Sequence, residues 1–135
     1  MSDATSKRTI LVVEDDPDLQ RLVSIMLKRG NFNVFVGGTA AKGMQLFEEA
    51  KPDLVILDIG LPDRPGLDVC KELRGKHKHL PILMLTARYD KTAYQDAMRL
   101  GASDFLCKPV RQPKLIEMVE QLLAAVPPKK KFGVF

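Results

Sequence analysis

Short apolar runs alternate along this chain with longer stretches in which apolar residues recur every three or four positions. Thr9–Val13 is rich in β-branched residues and too short for a helix, so it reads as a strand. Leu19, Leu22, Val23, Met26 and Leu27 follow at helical spacing. Asp16 stands as N-cap, Pro17 at the first helical position and Gly30 at the end. Val34–Val36 predicts a second strand. Thr39 then caps a helix that carries Met44, Leu46 and Phe47, runs through Ala50 and is stopped by Lys51-Pro52. Leu54–Leu57 is apolar throughout, as expected of a strand covered on both faces. The later pattern predicts a helix over Leu67–Arg74, a strand over Pro81–Leu85 and a helix over Tyr89–Leu100 ending at Gly101. A strand over Ser103–Cys107 and a last helix over Gln112–Ala125 complete the series.

Five strands alternating with five helices predict an α/β fold, a doubly wound parallel sheet with helices on both faces. Right-handed crossovers leave few topologies, and the flavodoxin-like order 2-1-3-4-5 is a common one. The ordered domain is expected over 9–126, after an N-terminal tail of residues 1–8. Pro127-Pro128 stops the last helix and opens a basic tail or linker, 127–135.

Three of the apolar runs end abruptly in charge. Ile10–Val13 runs into Glu14, Asp15 and Asp16; Leu54–Leu57 into Asp58; Phe105–Cys107 into Lys108-Pro109. In parallel strands these endings share one sheet edge, the edge where open α/β sheets bind ligands. Two carboxylates about 4 Å apart repel by roughly 4 kcal/mol at an effective dielectric of 20. A divalent cation offsets that repulsion, and an oxygen-only set from Glu14, Asp15 and Asp58 suits Mg²⁺. Asp16 is set aside as the helix cap. Lys108 either neutralises a bound phosphoryl group or forms a plain salt bridge to Asp58 or Asp15. Thr86 ends the fourth strand on the same edge, where its hydroxyl either donates to that phosphoryl group or caps the next turn.

Composition narrows the picture. At 135 residues with 45% apolar content the chain can bury a core without staples. Its apolar stretches fall far short of the ~20 residues that cross a bilayer. Met1–Thr9 lacks a signal-peptide core, so a cytoplasmic protein with no membrane insertion is expected. The net charge is +4, but Lys129, Lys130 and Lys131 sit together in the tail, and the rest of the chain carries +1. Such a body is not a basic nucleic-acid face, and no DNA-binding motif follows Ala125, so direct nucleic-acid binding is not expected. Cys70 and Cys107 lack ligand spacing and read as buried free thiols, Cys107 in a central strand. His77 and His79 fall in a loop before the fourth strand, where they are expected to be exposed; they lie away from the charged edge and take no role.

Taken together, ILVVEDD, LVILDIGLP, PILMLTA and DFLCKP, in this order and over about Thr9–Ala125, resemble the receiver domain of bacterial two-component response regulators. The resemblance implies that Asp58 is the phosphoacceptor, taking a phosphoryl group from a histidine kinase, a histidine phosphotransfer protein or a small phosphodonor. It implies Mg²⁺ held by Glu14, Asp15, Asp58 and the backbone carbonyl of Gly60. Lys108, Thr86 and the backbone N–H of Ala87 would contact the phosphoryl oxygens, and Thr86 with Phe105 would form the switch. The implied output is a protein-interaction face made by the fourth helix, fifth strand and fifth helix, with a possible homodimer on phosphorylation. The molecule would be a signalling switch rather than a turnover enzyme, with self-catalysed phosphotransfer and autodephosphorylation. Lys108-Pro109 would be cis by analogy.

Two positions depart from the family pattern. Pro65 stands where a polar helix cap is usual, which removes the cap and a backbone donor. Arg88, two beyond Thr86, is expected to modulate hydrolysis of the acyl phosphate. Alternatives are a receiver fragment of a longer regulator whose output domain is absent, and an Asp-nucleophile phosphatase, for which Gly60 stands where a second acid is wanted. A flavin-binding rival would need a phosphate loop where Glu14-Asp15-Asp16 stands. The tail is either a linker or a docking peptide, with Lys129–Lys131 for charge and Phe132 and Phe135 as anchors.

Overall fold

A computed structural model describes residues 7–87 and 90–127. Arg88, Lys129–Lys131, Phe132 and Phe135, named above, lie outside the described residues. The elements run β1 (Thr9–Val13), α1 (Pro17–Arg29), β2 (Asn33–Gly37), α2 (Ala40–Ala50), β3 (Leu54–Asp58) and α3 (Gly66–Lys76). They continue with β4 (Ile82–Thr86), α4 (Lys91–Arg99), β5 (Asp104–Cys107) and α5 (Gln112–Ala124). The five strands form one sheet in the order β2-β1-β3-β4-β5, and every neighbouring pair is parallel. The flavodoxin-like doubly wound fold expected from the alternation of apolar runs and helical stretches is the fold observed.

Alternation along each strand divides the core into two clusters. Ile10, Val12, Leu54, Ile56, Leu83 and Leu85 point to the α1/α5 face and meet Val23, Leu27, Leu115 and Val119. Leu11, Val13, Val55, Leu57, Ile82 and Met84 point the other way and meet Phe47, Val69, Leu73 and Ala97. Every residue of β3 is buried, which explains its unbroken apolar run.

Several element ends differ from expectation. β3 extends one residue further, to Asp58, because its ladder with β4 continues through the pair Asp58–Leu85. β4 likewise takes in Thr86, paired with Cys107. α4 starts at Lys91, capped by Asp90, whose carboxylate accepts from the N–H groups of Thr92 and Ala93. α3 runs on to Lys76, and Arg74 in its last turn donates to the carbonyls of Gly101, His77 and Lys78. Gly101, at φ +111°, turns the chain from α4 towards β5.

The expectation for Cys107 is corrected. β5 is an edge strand, and Cys107 is only half-buried, whereas Cys70 on α3 is fully buried; both are free thiols. His77 closes α3 with its ring 4.8 Å from that of Phe47, and is half-buried rather than exposed. Among the described residues no helix is long and apolar enough to cross a membrane.

Candidate functional site

The carboxyl ends of β1, β3, β4 and β5 set the site. Asp16 caps α1, its carboxylate accepting from the N–H of Asp18 at 3.0 Å, as expected from Asp16-Pro17. That cap fixes the turn in which Glu14 and Asp15 stand. The Glu14 N–H donates to the Gly37 carbonyl at 3.0 Å, continuing the β1–β2 ladder by one residue. The side-chain amide of Gln20 donates to the Glu14 carbonyl. Glu14 is wholly buried, Asp58 is buried and Asp15 is exposed.

Lys108 enters from the end of β5, its N–H bonded to the Thr86 carbonyl at 2.8 Å, and the Lys108-Pro109 peptide is cis. The ammonium lies 3.2 Å from Glu14 Oε1 and 3.5 Å from Asp58 Oδ1. One positive charge thus faces two buried negative ones. Burial pushes the Glu14 carboxyl above its ordinary value, the Asp58 charge adds to the rise, and the Asp16 N–H and Lys108 only partly oppose it. Burial alone pulls Lys108 down, but Asp58 and Glu14 outweigh it and leave the ammonium above its ordinary value.

Glu14, Asp15 and Asp58 each offer a carboxylate oxygen, all within 4.8 Å of one another. Glu14 Oε2 accepts from the Asp16 N–H at 3.0 Å. Its Oε1 has the Lys108 charge nearby, but the alignment is not that of a hydrogen bond, so a buried acceptor is left unmet. A buried carboxylate oxygen with spare acceptor capacity, in a set containing only oxygen, fits a hard divalent cation such as Mg²⁺. Gly60 is exposed with open space around its Cα, so its backbone is accessible at the same edge.

Thr86 and Ala87 follow one another where β4 ends. Phe105 on β5 is half-buried, with its ring 5.5 Å from the ring of Tyr94 on α4, edge to face. The loop containing Pro65 is held in ways the sequence did not suggest. Pro65 takes the N-cap place of α3 with no side-chain cap bond. The turn closes instead through the Gly66 N–H, which donates to the Ile59 carbonyl at 2.8 Å. Gly66 is obligatory here, because a Cβ would fall 2.0 Å from the Asp58 carbonyl oxygen. Two further residues of this loop escaped sequence reasoning. Asp63 bonds the N–H groups of Ala40 and Ala41, and Arg64 pairs with Glu72 at 2.8 Å. Neither leaves a local sequence signal: Asp63 acts more than twenty residues away, and Arg64 reaches Glu72 in the next helix.

Residues 10–120 match the family described as response regulator receiver domain. The DNA-binding response regulator MtrA of Mycolicibacterium smegmatis is 37% identical over 119 residues, covering 88% of this chain and 52% of MtrA. The regulatory protein VanR of Enterococcus faecium is 37% identical over 114 residues, covering 84% of this chain and 49% of VanR. The chain therefore spans about half the length of these curated relatives. Among solved structures, the BeF3-activated N-terminal receiver domain of Klebsiella pneumoniae RstA is 31% identical with a TM-score of 0.82, covering 86% of this chain and 98% of that one. The non-phosphorylated receiver domain of HemR from Leptospira biflexa is 31% identical with a TM-score of 0.82, covering 91% of this chain and 99% of that one. With the family match running over most of its length and the site lying at the switch edge of the matching fold, this chain belongs to the response regulator receiver domain family.

Proposed function

We propose that this chain accepts a phosphoryl group on Asp58 from a phosphohistidine of a histidine kinase or histidine phosphotransfer protein, and thereby switches a protein-interaction face. The observation that carries the reading is the Asp58 carboxylate, buried at the carboxyl edge of the sheet with the Lys108 ammonium 3.5 Å away. A carboxylate oxygen of Asp58 attacks phosphorus, the P–N bond to the donor imidazole breaks, and the electron pair leaves with the imidazole. The product is an acyl phosphate. Asp15, Glu14, Asp58 and the Gly60 carbonyl would hold Mg²⁺, which would offset the negative charge of the carboxylates and the incoming phosphoryl group. Lys108, the Thr86 hydroxyl and the Ala87 N–H take the phosphoryl oxygens. Their work is positioning and charge stabilisation.

In this reading Thr86 moves inward towards the new phosphoryl group and the Phe105 ring turns into the space it leaves. The contact of Phe105 with Tyr94 supports a route outward, because Tyr94 is exposed on α4. The partner face is then α4, β5 and α5, open to a downstream protein or to a second copy on phosphorylation. A cytoplasmic setting belongs to the same reading. A second reading takes the chain as the receiver part of a longer regulator with a DNA-binding output, and the half-length match to MtrA, named as DNA-binding, favours it.

The test is incubation with acetyl phosphate and Mg²⁺ followed by intact mass. Wild type is expected to gain one phosphoryl group, and Asp58→Ala none. An equal adduct on the variant overturns the assignment of Asp58.

A further inference from the structure

The loop from β3 to α3 brings Gly60 to the site with little backbone support of its own. The Ile59 N–H donates to the Leu85 carbonyl at 3.1 Å, and the Gly66 N–H returns to the Ile59 carbonyl. Between these anchors, residues 60–64 make no backbone-to-backbone hydrogen bond among the described residues. With Pro65 in the cap position, α3 does not tie the loop down by a side-chain cap either. What holds it is the burial of Leu61, the Arg64–Glu72 pair and Asp63.

The two carboxylate oxygens of Asp63 each accept one N–H, from Ala40 at 2.8 Å and from Ala41 at 3.0 Å. These are the first two residues of α2. The two N–H bonds hold the Asp63 carboxyl below its ordinary value, so it is ionised at neutral pH, and a helix N-terminus favours that charge. Yet α2 already has an N-cap of its own, the Thr39 hydroxyl, which accepts from the Lys42 N–H at 3.0 Å. Asp63 therefore does more than finish a helix; it ties one loop at the site to another. The far end of that tie is itself fixed to the acidic turn, since β2 leads into α2 and the Gly37 carbonyl at its end receives the Glu14 N–H.

We propose that Asp63 is a positioning residue for the metal-holding loop: its clasp on α2 sets where Gly60 stands relative to Glu14 and Asp15. This rests on the reading that Gly60, Glu14, Asp15 and Asp58 hold Mg²⁺. Losing the clasp leaves the loop held by Leu61 and the Arg64–Glu72 pair alone, without touching any of those four groups. The consequence is weaker Mg²⁺ binding, with phosphoryl acceptance preserved once Mg²⁺ is saturating.

The experiment is titration calorimetry with Mg²⁺ on wild type, Asp63→Ala, Asp63→Asn and Thr39→Ala, with thermal melts of each and acetyl phosphate labelling across Mg²⁺ concentrations. Asp63→Ala is expected to bind Mg²⁺ roughly tenfold more weakly, the lower end of what losing an outer partner costs a metal site. Asp63→Asn recovers part of the loss, because its amide oxygen still accepts one N–H. Thr39→Ala removes a cap from the same helix, lowers the melting temperature and leaves Mg²⁺ affinity unchanged. Wild-type affinity in Asp63→Ala, or the same loss in Thr39→Ala, overturns the proposal. A wild type that neither binds Mg²⁺ nor takes a phosphoryl group overturns the reading beneath it, and that result is distinct from either of the others.

Discussion

Replacing Lys108 by methionine removes the ammonium that faces Glu14 and Asp58 while keeping an unbranched side chain in its place. The charge lies 3.2 Å from Glu14 and 3.5 Å from Asp58. At an effective dielectric of 20, each attraction amounts to about 5 kcal/mol. Against the sum stands the desolvation of the ammonium, which the substitution relieves. The Lys108 side chain also keeps 23% of its surface, so water screens part of the attraction. The expected net loss is about 3 kcal/mol, the scale seen when one partner of a buried pair is removed. Wild-type stabilisation from this charge is complete below the ordinary lysine value of 10.5 and is lost only as pH rises through the raised folded value. The assay is urea unfolding in EDTA at neutral pH, followed by circular dichroism because the chain has no Trp and two Tyr. The loss should shrink on acidification, as Glu14 takes up a proton and no longer needs a counter-charge. A change under about 0.5 kcal/mol, the scale of an ordinary surface substitution, refutes the reasoning. So does a loss that is indifferent to acid.

Glu14→Gln probes the same cluster with the opposite sign. Because the folded Glu14 value lies above the ordinary 4.5, the folded state binds more protons between the two values, and stability falls as pH rises through that window. Above the window the full penalty remains, so Mg²⁺-free Glu14→Gln should be more stable than wild type at neutral pH and should lack that slope. Denaturation midpoints across pH check this, and a less stable variant at neutral pH contradicts it. Gly66→Ala places a methyl group 2.0 Å from the Asp58 carbonyl oxygen, a backbone atom that cannot swing aside. It should cost about 2–3 kcal/mol, as overpacking does, and an unchanged melting temperature rules the contact out.

The fold was legible because short apolar runs alternate with stretches of helical period from Thr9 to Ala124. Strand ends were less so. The apolar run stops at Leu57 and at Leu85, but a parallel ladder is made by backbone groups and continues through Asp58 and Thr86. Cys107 was misjudged from its apolar run alone, although the expected order 2-1-3-4-5 already made the fifth strand an edge. The start of α4 was readable, since Asp90 carries the usual cap chemistry just before Lys91. At the site, the charges were visible as abrupt endings of apolar runs, whereas Asp63 and Arg74 were not. Their partners lie at Ala40 and Gly101, chosen by the packing of distant elements rather than by neighbours in the chain.

The division of the core has a consequence for traffic through the molecule. The sixteen buried residues of one cluster and the fourteen of the other share no side chain, and the sheet is the wall between them. Ala97 and Phe105 lie on the α4 side of that wall and Val23 and Leu27 beneath α1, yet Leu106, next to Phe105 on β5, belongs to the α1 cluster. β5 therefore sends neighbouring side chains into both halves of the core, and it leads into Lys108, which meets Glu14 at the end of β1. A displacement of β5 is thereby felt on both sides of the sheet and at the charged edge.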